Sequence, residues 1–364
     1  MKAIIIIIIY YCMALLPPII YGVHSGDSSI SSNMNFASDH GSPISDYSND
    51  GSTCSTATSQ TYNAPLEEIR DNVEDIIKNK GTINKVFIPL KHLKKGKHSQ
   101  IYEGHLKMKS GKLLPVAMKI SPFVCRSSAN IPSELDIYRR LEAVGNSLTE
   151  KYGIPNVYYH GEWNECTLLA ITLLDPEFTL NMNKKLLDTP LIETDENYKS
   201  LEYYHICLEF ILALKYMHSH GVCHHHIDKN DLMFRSNRGF IVDFGTSYLV
   251  SQGPRGVDCR KTNLSDLMYS LKYLWSAASI GRLENEALRT IFTLFEQNID
   301  PDVKIDYNGM YRAFAAKIQG LEHNGPFIFS WMNEEQRKEI TDRSASLWEQ
   351  YQHPEIEKIA NPYR

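Results

Sequence analysis

Three consecutive histidines, His224, His225 and His226, are followed by Asp228 and Asp231 and, after an apolar run, by Asp243. An imidazole titrates near neutral pH, so His226 suits a general base taking a proton from a hydroxyl, and Asp228 can act as a substitute from a shifted position. Asp231 and Asp243 carry hard oxygen donors of the kind that hold magnesium. His224, His225, His226 and Asp228 are also suitable types for a transition metal, but no partner ligands stand at a recognised spacing.

Elements must hold these groups. An apolar helix ending in Leu214, Tyr216 and Met217 feeds a short loop, then Leu232 and Met233, then a β-like run over residues 240–242 that ends in Asp243-Phe244-Gly245. That order resembles the catalytic loop and metal-binding turn of protein kinases, His-Arg-Asp-Leu-x-x-x-x-Asn followed by Asp-Phe-Gly. In this register the catalytic Asp is replaced by His226, the transition-state Lys by Asp228 and the second magnesium-binding Asn by Asp231. Kinases use the loop Asp to orient the attacking hydroxyl, and Lys with magnesium to neutralise the transferred phosphoryl group. Here a carboxylate stands where that cation would be.

The resemblance extends upstream. Val116-Ala117-Met118-Lys119 matches the strand whose Lys reaches the nucleotide phosphates, and Glu134 opens an amphipathic helix where kinases place that Lys's partner. The phosphate-covering turn keeps only Gly96 of its three glycines, with Lys94 and Ser99 at the other two positions. By itself this turn reads as a solvated basic hairpin between strands at residues 87–90 and 101–108, although its three lysines can meet a polyphosphate. The Glu134 helix, Gly153-Ile154-Pro155 and Leu173-Leu174-Asp175-Pro176 look like the casein kinase one branch. The likeness covers about residues 86–245. It implies an α+β, two-lobed fold with a small β-rich N-lobe over residues 86–175 and a larger helical C-lobe over 176–364. It also implies that adenine lies against the hinge at residues 173–175, with ATP and magnesium as cofactors.

Beyond Asp243 the likeness thins. Asp266 resembles the kinase Asp that holds the catalytic loop from the central helix of the large lobe, and Ser265 and Asp266 suit a helix start. Leu267, Leu271, Leu274 and Trp275 would share that helix's buried side. No Ala-Pro-Glu follows, and the segment from Asp243 to Asp266 is short for one that seats a peptide. Further helical patterns cover residues 283–297, 311–321 and 334–351.

Met1-Lys2, an apolar run over residues 4–16 and Pro17-Pro18 have the layout of a signal peptide over residues 1–22, too short to favour a stable membrane span. This predicts a secreted or secretory-lumen protein; the alternative is an uncleaved N-terminal anchor. Residues 23–64 are poor in aliphatics and read as a disordered Ser/Asn-rich linker. A helical lead-in at 65–85 carries Leu66, Ile69, Val73, Ile76 and Ile77 on one face. Seven cysteines leave six after cleavage, compatible with disulfides or with buried thiols. Asn263-Leu264-Ser265 is a glycosylation sequon in letters only, because it abuts a predicted buried helix. A net charge of −5 gives no basic field for nucleic acid.

Two functional readings follow. One is a secreted pseudokinase that retains ATP through Lys119, Glu134 and Asp243 and acts by contacting an unidentified protein. The other is an atypical serine/threonine kinase working through His226 or Asp228. A small-molecule kinase can dispense with the peptide-binding segment, but it too generally needs the loop Asp.

Overall fold

The computed structural model describes residues 63–96, 98–122, 134–174, 196–253, 256–278 and 286–321, with residues 334, 338, 359, 361 and 362 singly. The expected signal peptide, nearly all of the expected linker, Asp175 and Pro176 of the expected hinge, and most of the helix expected at 334–351 lie outside them. The described part is a mixed α/β chain, an antiparallel sheet followed by helices, consistent with the two-lobed arrangement expected.

Helix α1, Asn63–Lys78, leads in. Strands β1, Phe87–Lys95, β2, Gln100–Lys107, and β3, Leu113–Pro122, form an antiparallel meander. After helix α2, Glu134–Arg140, come β4, Val157–Trp163, and β5, Cys166–Thr172. The five strands take the order β1-β2-β3-β5-β4 with every neighbour antiparallel. Strand alternation divides this sheet into two faces. Tyr102, Leu106, Val116, Met118 and Ile120 bury on one face under Leu66, Ile69 and Val73 of α1, with Ile76 and Ile77 packed at the margin. The 3.6-residue spacing of those α1 positions makes the apolar stripe that covers the sheet. Lys119 and Ile101 lie on the other face.

A bulged β1 continues through Lys94 and Lys95, where the lysine run had suggested an open turn. Only one turn separates it from β2, and the Gly96 N–H donates to the Ser99 carbonyl at 2.8 Å to close it. Gly96 thus serves the turn geometry.

The helical part is built around α3, Glu196–Ser219. It is buried on every side from Leu201 to His218, charged Glu202, Glu209 and Lys215 included, as a helix surrounded by protein is. Around it stand β6, Val222–Cys223, the hairpin of β7, Leu232–Arg235, and β8, Arg238–Ile241, and short β9, Tyr248–Leu249, which pairs with β6. Helices α4, Cys259–Ala278, α5, Glu286–Ile299, and α6, Tyr307–Gly320, complete the described chain. Leu267, Leu271, Leu274 and Trp275 of α4 join the large core, as their spacing predicts. The start of α4 differs from the expected one. Asp258 caps it, its carboxylate accepting from the Arg260 N–H at 3.1 Å and its carbonyl from the Lys261 N–H at 3.0 Å. Ser265 and Asp266 therefore lie inside the helix. Among the described residues, no helix is long and apolar enough to cross a membrane.

Candidate functional site

Lys119 projects from β3 on the face away from α1, and its ammonium is held by two carboxylates. Glu134, the first residue of α2, lies 2.8 Å away and Asp243 lies 2.6 Å away. Lys119 and Glu134 are largely shielded, whereas the Asp243 side chain is 60% exposed. Burial alone would lower the lysine, but the paired charges outweigh it and hold it firmly protonated. Burial likewise opposes ionisation of Asp243, and the charge and hydrogen bond of Lys119 reverse that, keeping its carboxyl below the usual range. At Glu134 burial wins and the carboxyl is raised.

Asp243 takes a left-handed backbone conformation, φ 66°. A positive φ is uncommon outside glycine, and here it turns the chain sharply out of β8 into the Phe244 turn. Asp231 stands beside this bend, its carbonyl accepting from the Val242 N–H at 3.0 Å. The Asp231 carboxylate accepts from the Asp228 N–H at 2.9 Å. Burial first, then the charges of Asp228 and Asp243, push the Asp231 carboxyl up to about 7. Two interacting carboxylates, one of them resisting ionisation, form a donor pair that a hard divalent cation would relieve. The described residues contain no cluster of three or more histidine, cysteine or acidic side chains arranged around a metal position.

The loop between β6 and β7 is anchored to α4 at several points. Asn263, fully buried, accepts the His224 N–H at 3.0 Å and donates its amide to the His224 carbonyl. Its oxygen also accepts from His218 Nε2 at 3.1 Å, while the Tyr307 hydroxyl donates to His218 Nδ1. Asp266 accepts the Ile227 N–H at 3.3 Å and Ser270 donates to the Ile227 carbonyl at 3.0 Å. A disulfide joins Cys223, the last residue of β6, to Cys259, the first of α4, with Cα atoms 6.0 Å apart. Cys166 and Cys207 are buried free thiols.

The three histidines take different environments. His224 is buried, and because a carbonyl can only accept, its Nε2 carries the proton it donates to Val242 at 3.0 Å. Burial lowers its pKa, and it meets the Phe244 ring edge-on at 5.5 Å. Phe244 in turn meets Tyr138 of α2 at 5.2 Å, so a line of rings connects the helix carrying Glu134 to the loop. His225 is exposed near Tyr248. His226 is also exposed, with Nδ1 3.4 Å from the Asp266 carboxylate.

The structure therefore brings together Lys119, Glu134 and Asp243, sets Asp231 and Asp228 beside them, and places His226 on the same loop. Gly96 is at the sheet turn. Just after β5, Leu174 packs with Phe240 and Val242, and Met233 borders them. Asn263 and the Cys223–Cys259 bond were not predicted from the sequence. Asn263 could be read only as a sequon, and cysteine spacing leaves pairing open.

No family model matches the chain, and no curated protein matches it. Among solved structures, the chain is similar to a crystal structure of a kinase domain, with 12% identity and a TM-score of 0.41 over 59% of this chain and 71% of that one.

Proposed function

We propose that this is a secreted, kinase-like protein that binds ATP with magnesium, is impaired in phosphotransfer, and works by contacting another protein. The observation carrying the reading is the contrast within one site. Lys119 is held by Glu134 and Asp243, while the loop offers His226 and Asp228 where a kinase carries Asp and Lys. Lys119, kept charged and oriented by Glu134, would bind phosphate oxygens. Asp231 and Asp243 would hold magnesium, which when bound supplies the divalent charge that phosphates require. The apolar group of Leu174, Phe240 and Val242 suits a nucleobase. Asp228 places negative charge where a cation would assist transfer. Secretion rests on the N-terminal sequence pattern, with a retained anchor as the alternative.

The test is the thermal shift of the mature domain with ATP, with and without magnesium or manganese, beside Lys119→Ala. A metal-dependent rise absent from the variant is expected. No rise in folded wild-type protein would overturn the nucleotide assignment.

A second reading is favoured by one contact. Asp266, 3.4 Å from His226 Nδ1, can orient that imidazole and leave Nε2 to take a hydroxyl proton. Residual phosphotransfer through this base would be measured as radiolabel incorporation into a hydroxyl-bearing protein and lost in His226→Ala. Incorporation unchanged in that variant would exclude His226 as the base.

A further inference from the structure

We propose that Lys94 is a phosphate-binding residue of the same site, supplying from the sheet the cation whose place in the loop is taken by Asp228. The inference rests on the nucleotide reading and deepens it, assigning the protein a preference for nucleoside triphosphates over diphosphates through Lys94.

Strand register carries the argument. Lys94 of β1 stands opposite Ile101 of β2, and Ile101 stands opposite Lys119 of β3. Directly opposed residues in antiparallel strands point to the same face. Lys94 and Lys119 therefore share a face, two strand spacings or about 10 Å apart along one row. The next residue fixes the direction independently. Lys95 pairs with Glu67 of α1, on the covered face of the sheet, so alternation turns Lys94 toward the opposite face, where Lys119 meets Asp243.

The neighbours single out this lysine. Lys91 stands opposite Glu103, an acidic residue, whereas Lys94 stands opposite the apolar Ile101. Lys94 thus stands on the face where the Lys119 ammonium meets Asp243, one of the carboxylates that would hold magnesium. Lys119 on one side and Lys94 on the other can flank a phosphate chain. Lys119 would serve the inner phosphates and Lys94 the terminal one.

The experiment is isothermal titration calorimetry of the full chain with magnesium-ATP and magnesium-ADP, using wild type, Lys94→Ala, Lys94→Arg and Lys95→Ala. Loss of one charge-assisted contact predicts that Lys94→Ala weakens ATP about tenfold while ADP affinity is kept. Lys94→Arg should retain most of the ATP affinity, and Lys95→Ala should match wild type. Retained ADP binding shows that the variant is folded. Wild-type binding of ATP with Lys94→Ala unchanged, or weakened equally for ATP and ADP, would overturn the role of Lys94 and leave the nucleotide site standing. Wild type binding neither nucleotide would overturn both.

Discussion

His218 is buried where protonation is costly. Burial first, and the nearby Arg260 charge, push its pKa from 6.5 down to about 4, although Asn263 and Asp258 favour the charged form. Between those values the unfolded chain binds more protons at this residue than the folded one, so its contribution to stability is present at neutral pH and is lost as pH falls from about 6.5 to about 4. Asp231 acts oppositely. Its carboxyl is raised from 3.8 to about 7, so its contribution falls as pH rises across that window. The difference between wild type and His218→Gln isolates the histidine. Urea denaturation at stepped pH should show a shallower acid decline in the variant, the gap reaching about 3 kcal/mol at pH 4. Parallel pH profiles would mean that His218 charges freely. The same buried network shows why Asn263 cannot carry a glycan in the folded protein, since its amide is committed to His224 on both sides.

At the scale of elements, the loop depends on α4. Asn263, Asp266 and Ser270 sit on one helix and hold His224 and Ile227, and the disulfide fixes where loop and helix meet. Its cysteines are 36 residues apart, and in the chain-entropy account closing a loop of that size stabilises a protein by about 4 kcal/mol. Cys259→Ser should lower the urea midpoint accordingly, and reductant should bring wild type to the variant's value while leaving the variant unmoved. Equal midpoints in oxidising buffer would show that the bond adds nothing. Helix α1 has a comparable positioning role for the sheet. By covering one face it leaves Lys119 and Lys94 for the other.

Across the whole molecule, the residues that carry the site were legible where side-chain type and order coincide. Lys119, Glu134 and Asp243 are separated by long stretches of chain, yet they converge within hydrogen-bonding distance, and the periodic apolar positions of α1 and α4 are buried as their spacing predicts. Legibility failed where local propensity was ambiguous. A lysine run reads as a solvated turn, but pairing with β2 extends β1 through it, and a bulge sets which lysine shares a face with Lys119. Asp258 and Ser265 are both good helix caps by residue type, which leaves the choice open, and the structure uses the first. The disulfide was illegible for a different reason, since spacing alone does not choose between pairings. That bond has a topological consequence. Residues 223–259 form a covalent ring containing the three histidines, Asp228, Asp231 and Asp243. A protease cutting once anywhere inside the ring would sever the backbone yet liberate no fragment. The two polypeptides would migrate as one species until a thiol separated them, and the halves of the loop would remain bound to the same scaffold after the cut.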